Sequence, residues 1–310
     1  MFSRQKHRVF HDCDGNSDDL VTGILLRLAP EVELVGTAIS NGLCYVHESH
    51  AAMRSIERYL GTPEVDIGIW DGEMPNPFPD AWRSDSRRYN ELPFLAQKRS
   101  TLGKPGKAVS LLRRCLRQAS HPITVVGTGP LTVVAEVLRA NPKLAGKIRQ
   151  LVIMGGAVRV PGNVKNVPGA DGSAEWNVFC DPFAFKTVLA HDIPIRLISL
   201  DVTNQLAVNQ SLLQKLSERA KTSRASNVAA SVWGIQDGRE IYLWDPTTAI
   251  SLIRPDLFRF EYVDIDVVTD GASLGRLVEV APGCGRTVEL ATGVDSKAVL
   301  SYFLDLLGSL

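Results

Sequence analysis

The chain has 310 residues, with 34 Lys plus Arg against 34 Asp plus Glu, so its formal net charge is zero, and 45% of it is apolar. Balanced charge without a basic block excludes a nucleic-acid or anionic-membrane footprint, and this apolar content excludes a disordered chain. No run of about 18 apolar residues exists to span a membrane, and five scattered cysteines without a CxxC pair point to a cytoplasmic protein with reduced thiols.

Met1–His11 is basic but reaches a strand-like run without the apolar stretch of a signal peptide. Val9–Cys13 reads as a short strand. Asp18–Ala29 carries Leu20, Val21, Ile24, Leu25 and Leu28 at helical spacing, with two acids in its first turn, where the helix dipole favours them. Val32–Ser40 reads as a buried strand and His47–Leu60 as a helix stopped by Gly61. Apolar runs at Val65–Ile69, Ile123–Val126, Leu151–Met154 and Ile193–Leu200 predict further strands. Helical patterns occupy 106–119, 131–141, 182–190, 210–221 and 246–253. Residues 260–290 read as irregular strands, closed by a final helix from about residue 296. No linker, charge block or internal repeat marks a boundary, so one domain over 1–310 is expected. The alternation implies an α/β fold: a doubly wound, mostly parallel sheet with helices on both faces. Ligands bind such sheets at the carboxyl ends of the strands, so polar clusters just after each strand are candidate sites.

The segment His11-Asp12-Cys13-Asp14-Gly15-Asn16-Ser17-Asp18-Asp19 puts four carboxylates in eight residues at a strand-to-helix junction. They would repel one another unless a cation or donors compensate, and hard oxygen ligands favour Ca²⁺ or Mg²⁺ over zinc. An EF-hand loop is excluded, because it needs Gly and Glu where Ser17 and Gly23 stand. A haloacid-dehalogenase-type phosphatase would use Asp12 as nucleophile, but wants Thr or Val where the chain has Asn16. The third chemistry is a metal-activated water, deprotonated by one Asp, attacking a sugar carbon.

Further segments follow in chain order: Asn76–Arg83 (NPFPDAWR), Gly127–Thr132 (GTGPLT), Met154–Ala157 leading to Gly162-Asn163, Ala174–Asn177 (AEWN), and Trp244-Asp245. With Asp12–Asp19, this series resembles the inosine–uridine nucleoside hydrolase family from about residue 9 to residue 250, most closely its purine-preferring branch. The resemblance implies hydrolysis of the N-glycosidic bond of a ribonucleoside to ribose and free base, with one tightly bound Ca²⁺. It implies Asp14, Asp19, the main-chain carbonyl of Thr128 and Asp245 as calcium ligands, with Asp14 also the general base. Asp18 and Asn177 would hold the ribose diol, and Asn163 and Glu175 would reach the 5′-hydroxyl side. Met154 would pack under the sugar, and Asp12 would support the cluster. Trp82 and Trp244 match tryptophans that stack the base, with Trp176 lining the ribose side. The uridine-using branch has a histidine where Trp244 stands, and no histidine follows His191, so histidine acid catalysis is excluded there. Trp70 and Trp233 match no motif and are expected to pack.

Two departures bear on the base. Leu43 stands where the purine branch carries an acid, and Gln236 where it carries an arginine, with Arg239 close. Asn41 or Asn16 would supply the missing hydrogen bond, and a purine preference below about tenfold is the expected consequence. The implied partner is a small-molecule ribonucleoside, and relatives of this fold form homodimers or homotetramers. A non-catalytic nucleoside or ribose binder is the alternative of a different class, and Asp14 argues against it because a binder needs no base. His47 and His50 have no evident third ligand and read as surface or capping residues. Cys13 reads as a small buried residue pointing away from its acidic neighbours, and Gly155-Gly156 as a close approach of backbone to sugar.

Overall fold

The computed structural model describes residues 6–96, 104–236 and 238–310. The remaining start of the basic segment Met1–His11 lies outside them. Ten strands make one sheet: β1 (His7–Cys13), β2 (Val32–Ser40), β3 (Ile67–Trp70), β4 (Gly106–Lys107), β5 (Ile123–Gly127), β6 (Ile148–Met154), β7 (Ile195–Ile198), β8 (Phe258–Val267), β9 (Leu277–Glu279) and β10 (Arg286–Val294). Their order is β4-β3-β2-β1-β5-β6-β7-β10-β8-β9. Every pair from β4 to β10 is parallel, and β8 and β9 extend the edge antiparallel. The sheet grows outward in both directions from β1, so β2 and β5 leave a crevice at the carboxyl end of β1, the switch point where open α/β sheets bind ligands.

Alternation along β1 sends Val9 and Cys13 to one face and Phe10 to the other, and both faces are dry. The first face joins Val126, Val152 and Ile198 to helices Ser17–Leu28, Val46–Leu60, Arg224–Gly234, Trp244–Ile253 and Ser296–Leu307. The second joins Val125, Leu151 and Leu197 to helices Ala108–Gln118, Thr132–Ala140 and Pro182–Leu189. This is the doubly wound arrangement expected from the alternation of strands and helices.

Boundaries move where end groups decide them. The first helix starts at Ser17, and the one expected at 246–253 starts at Trp244, which puts Asp245 in its first turn. The strand expected at Val65–Ile69 is β3, Ile67–Trp70, and residues 260–290 resolve into the antiparallel edge. Helix Arg224–Gly234 was not anticipated; half of its buried residues, Ala225, Ser226 and Ala229, are small, which weakens the apolar signal. Trp233 is 1% exposed and packs on Phe303, while the Trp70 indole N–H donates to Glu136 at 2.8 Å. No helix among the described residues is long and apolar enough to cross a membrane.

Candidate active site

A cavity of about 650 Å³ opens at the switch point. The end of β1 delivers Asp14 and Asn16, and the first turn of helix 17–28 delivers Asp18. The turn after β5 supplies Thr128, the end of β6 supplies Met154, and the first turn of helix 244–253 supplies Trp244 and Asp245. Glu175, Trp176 and Asn177 enter from the short helix Trp176–Cys180 and its cap, with Asn163 from the loop before it.

Carboxylate oxygens of Asp18, Asp19 and Asp245 lie within 4.8 Å of one another, all buried. Asp18 and Asp245 share a hydrogen bond, and Asp14 adds its charge to the group. Among the described residues no Lys or Arg pairs with any of the four; the one basic side chain near Asp19 is His11, 3.8 Å away. Burial lowers His11 to about 4, so it is neutral and brings no charge. Burial and then mutual repulsion raise Asp14 and Asp245 well above the usual carboxylate range and Asp18 to about 7. Asp19 is held in place by the backbone N–H groups of Gly15 (2.8 Å), Asn16 (3.0 Å) and Asp14 (3.3 Å), and by the Thr128 hydroxyl. His11 Nε2 lies 2.9 Å from that same hydroxyl. Two helix N-termini, at Ser17 and Trp244, also point their dipoles at the acids. A buried, all-oxygen acidic set that the chain itself does not neutralise fits a hard divalent cation, with the Thr128 carbonyl as a further oxygen donor.

Asp12, by contrast, is 1% exposed, does not line the cavity, and is raised to about 8 by burial. Cys13 sits on the face opposite Asp12 but alongside Asp19, which reaches it from the helix, so it does not point away from every acid. Its thiol donates to Ala38 O at 3.2 Å, and burial and the acids hold it protonated, so it offers no thiolate. His47 and His50 belong to no group of three convergent ligands among the described residues.

On the wall formed by helix Trp176–Cys180, the Asn177 amide donates to the carbonyls of Thr128 (3.2 Å) and Met154 (3.3 Å). Glu175 caps its helix, accepting from the N–H groups of Gly156 (2.9 Å), Asn177 (3.0 Å) and Val178 (3.3 Å); burial still raises it overall. Asn163 accepts the Trp176 N–H at 3.1 Å, which leaves its amide NH₂ for the cavity. Gly156 serves packing as well as approach: a side chain there would strike Leu277.

The outer wall is aromatic: Phe78, Trp82, Trp176, Tyr242 and Trp244 all line it. Trp82 is 39% exposed and meets Trp176 edge-on at 5.2 Å, while Tyr242 lies 5.5 Å from Trp244. Among the described lining residues there is no histidine. Leu43, Gln236 and Arg239 line the cavity; Asn41 does not, its amide being spent on Gly72 O (2.9 Å) and Arg83. Phe78, Lys165, Asn204, Glu240, Ile241 and Tyr242 were not singled out from sequence. Phe78 lay within the NPFPDAWR segment and Tyr242 two residues before Trp244, so proximity to those motifs was the available signal.

An open, mostly parallel sheet with a carboxylate-floored, aromatic-walled cavity at its switch point defines a small-molecule-binding α/β protein. Residues 9–301 match the family described as inosine-uridine preferring nucleoside hydrolase, so the chain belongs to that family and is a nucleoside hydrolase. The pyrimidine-specific ribonucleoside hydrolase RihA of Salmonella agona (strain SL483) is 29% identical over 276 residues, covering 84% of each chain. The non-specific ribonucleoside hydrolase RihC of Escherichia coli (strain SMS-3-5 / SECEC) is 29% identical over 318 residues, 96% of this chain and 97% of its own. The crystal structure of an inosine-uridine preferring nucleoside hydrolase from Bacillus anthracis superposes with a TM-score of 0.91 at 32% identity, covering 98% of this chain and 100% of that one. Family membership removes the binder and phosphatase alternatives, and the closed position of Asp12 argues separately against a phosphatase nucleophile.

Proposed function

We propose that this enzyme hydrolyses the N-glycosidic bond of ribonucleosides with Ca²⁺ resident among Asp14, Asp19, Asp245 and the Thr128 carbonyl. The observation that carries the reading is the buried acidic floor, which no basic side chain among the described residues neutralises, beneath an aromatic wall. When bound, calcium supplies the charge that acidifies a water and orders the ribose 2′ and 3′ hydroxyls. Asp14 has Oδ2 held by the Leu43 N–H at 2.7 Å, which leaves Oδ1 to take a proton from the attacking water. As water bonds C1′, the bond to the base breaks with its electron pair on the base nitrogen, and positive charge builds on the ribosyl ring. The surrounding carboxylates stabilise that charge as it forms. Asp18 and Asn177 hold the diol, Asn163 and Glu175 reach the 5′ side, and Met154 and Trp176 pack against the sugar.

Trp82 and Trp244 stack the base. An indole face tolerates a cationic ring, so stacking eases protonation of the leaving base by solvent, in keeping with the lack of a histidine among the described lining residues. Leu43 offers the base no acid, and relatives named pyrimidine-specific and non-specific favour broad base acceptance with purines included. The continuous ten-stranded sheet supports reading 1–310 as one catalytic unit. Five unpaired cysteines support a cytoplasmic setting, and the family resemblance a homodimer or homotetramer.

Free-ribose release from inosine, adenosine, guanosine, uridine and cytidine, with and without a calcium chelator, tests the reading. Chelator-sensitive release with less than about tenfold spread between purines and pyrimidines is expected. Release indifferent to chelation would remove calcium from the reaction, and strong selectivity for one base class would remove the broad-acceptance reading.

A further inference from the structure

Asn16 lines the cavity, yet its side-chain oxygen faces the protein. Tyr89 Oη donates to Asn16 Oδ1 at 2.8 Å, and Gln236 Nε2 donates to the same oxygen at 3.0 Å. Gln236 Nε2 gives its other hydrogen to Tyr89 Oη at 3.1 Å, so the three side chains close a ring of hydrogen bonds. All three are buried, Tyr89 completely. Burial also raises the Tyr89 phenol well above its usual range, which keeps it a neutral donor.

The ring joins three parts of the chain: the loop after β1, the short helix Asp85–Tyr89, and the loop after helix Arg224–Gly234. The same two outer segments are tied again by an ion pair between Arg239 and Asp85 (2.5 Å) and by Arg88 donating to Ile235 O (2.8 Å). The Cys44 thiol also donates to Asn16 Oδ1, at 4.0 Å, and because an amide group is planar, donors held on its oxygen fix where its nitrogen points. Among the described residues the Asn16 amide nitrogen has no partner, and its residue borders the space between the carboxylates and the tryptophans.

We propose that Tyr89 and Gln236 are positioning residues that hold the Asn16 NH₂ toward the cavity as a fixed hydrogen-bond donor to an acceptor atom of the leaving base. The proposal rests on the nucleoside-hydrolysis reading of the cavity. Gln236, standing where the purine-branch pattern has an arginine, lines the cavity but has both Nε2 hydrogens committed to Asn16 and Tyr89, so its amide nitrogen acts through Asn16. A pre-oriented donor aimed at an atom that gains electron density as the bond breaks acts chiefly in the transition state. Its loss therefore lowers kcat more than it raises KM.

The test measures kcat and KM for ribose release from inosine and uridine, with thermal unfolding of each variant as the check on folding. Tyr89→Phe and Gln236→Leu should each lower kcat about three- to tenfold, the worth of one hydrogen bond, with KM changed less than kcat. In an Asn16→Ala background neither substitution should lower kcat further by more than about twofold. Two independent variants guard against one that misfolds. If both keep their full effect without Asn16, or neither has an effect with it, the positioning role is overturned. Absence of ribose release by the unaltered protein with every nucleoside would instead overturn the reading of the reaction.

Discussion

Asp14 and Asp12 leave the same strand end, and only Asp14 lines the cavity. Their substitutions therefore separate sharply. Asp14→Asn keeps the Leu43 contact but cannot take a proton, and should lower ribose-release turnover by about three powers of ten or more. Asp12→Asn replaces a closed-off carboxyl, raised by burial to about 8 and so largely protonated at neutral pH, with a near-isostere. Its turnover should stay within about tenfold of the parent, and a collapse matching Asp14→Asn would return Asp12 to the chemistry. At this scale the acidic cluster was legible because four carboxylates at one strand end cannot sit together without compensation. Asn41 was not: its amide is spent on Gly72 and Arg83, partners 31 and 42 residues away that no local pattern reveals.

Two elements meet at the floor through their ends. Helices 17–28 and 244–253 bring Asp18, Asp19 and Asp245 together in their first turns, beside the backbone N–H groups left unpaired at helix starts. The loop after β2 closes against them, and its Gly42 has no room for a side chain: a Cβ there would lie 2.4 Å from Asp14 Oδ2. Gly42→Ala should therefore displace Asp14 and cut kcat at least about tenfold while Tm falls only slightly, because the loop is outside the sheet core. Equal kcat in Gly42→Ala would show that Asp14 tolerates the shift. The strands and most helices were readable from apolar spacing, whereas helix 224–234 was not. Its buried positions include Ala225, Ser226 and Ala229, and its start is set by the Ser223 cap on the Ser226 N–H. That missed helix carries the loop holding Gln236, so the Asn16 ring could not be assembled from sequence.

For the whole molecule, the proposed calcium site would link the acidic floor to pH and stability. Without calcium, Asp18 titrates near 7, and burial and mutual repulsion also raise Asp14 and Asp245 well above the ordinary carboxylate value of 3.8 of the unfolded chain. Between those values the folded chain binds more protons than the unfolded one. Stability attached to these groups is thus fully present below about pH 4 and is lost as pH rises through 7. Calcium resident as proposed would offset that cost, because it would bind the deprotonated set and bind it more tightly as pH rises. At a concentration 100 times Kd, binding to the folded state adds about 2.7 kcal/mol, which for a chain of this size raises Tm by about 4 °C. The calcium-induced rise in Tm should be larger at pH 8 than at pH 5, and Asp245→Asn should shrink both that rise and the pH slope of the calcium-free protein. Thermal unfolding in chelator and in excess calcium at the two pH values measures this directly. A rise that is equal at both, or larger at pH 5, would mean that Asp14, Asp19 and Asp245 are not the calcium site.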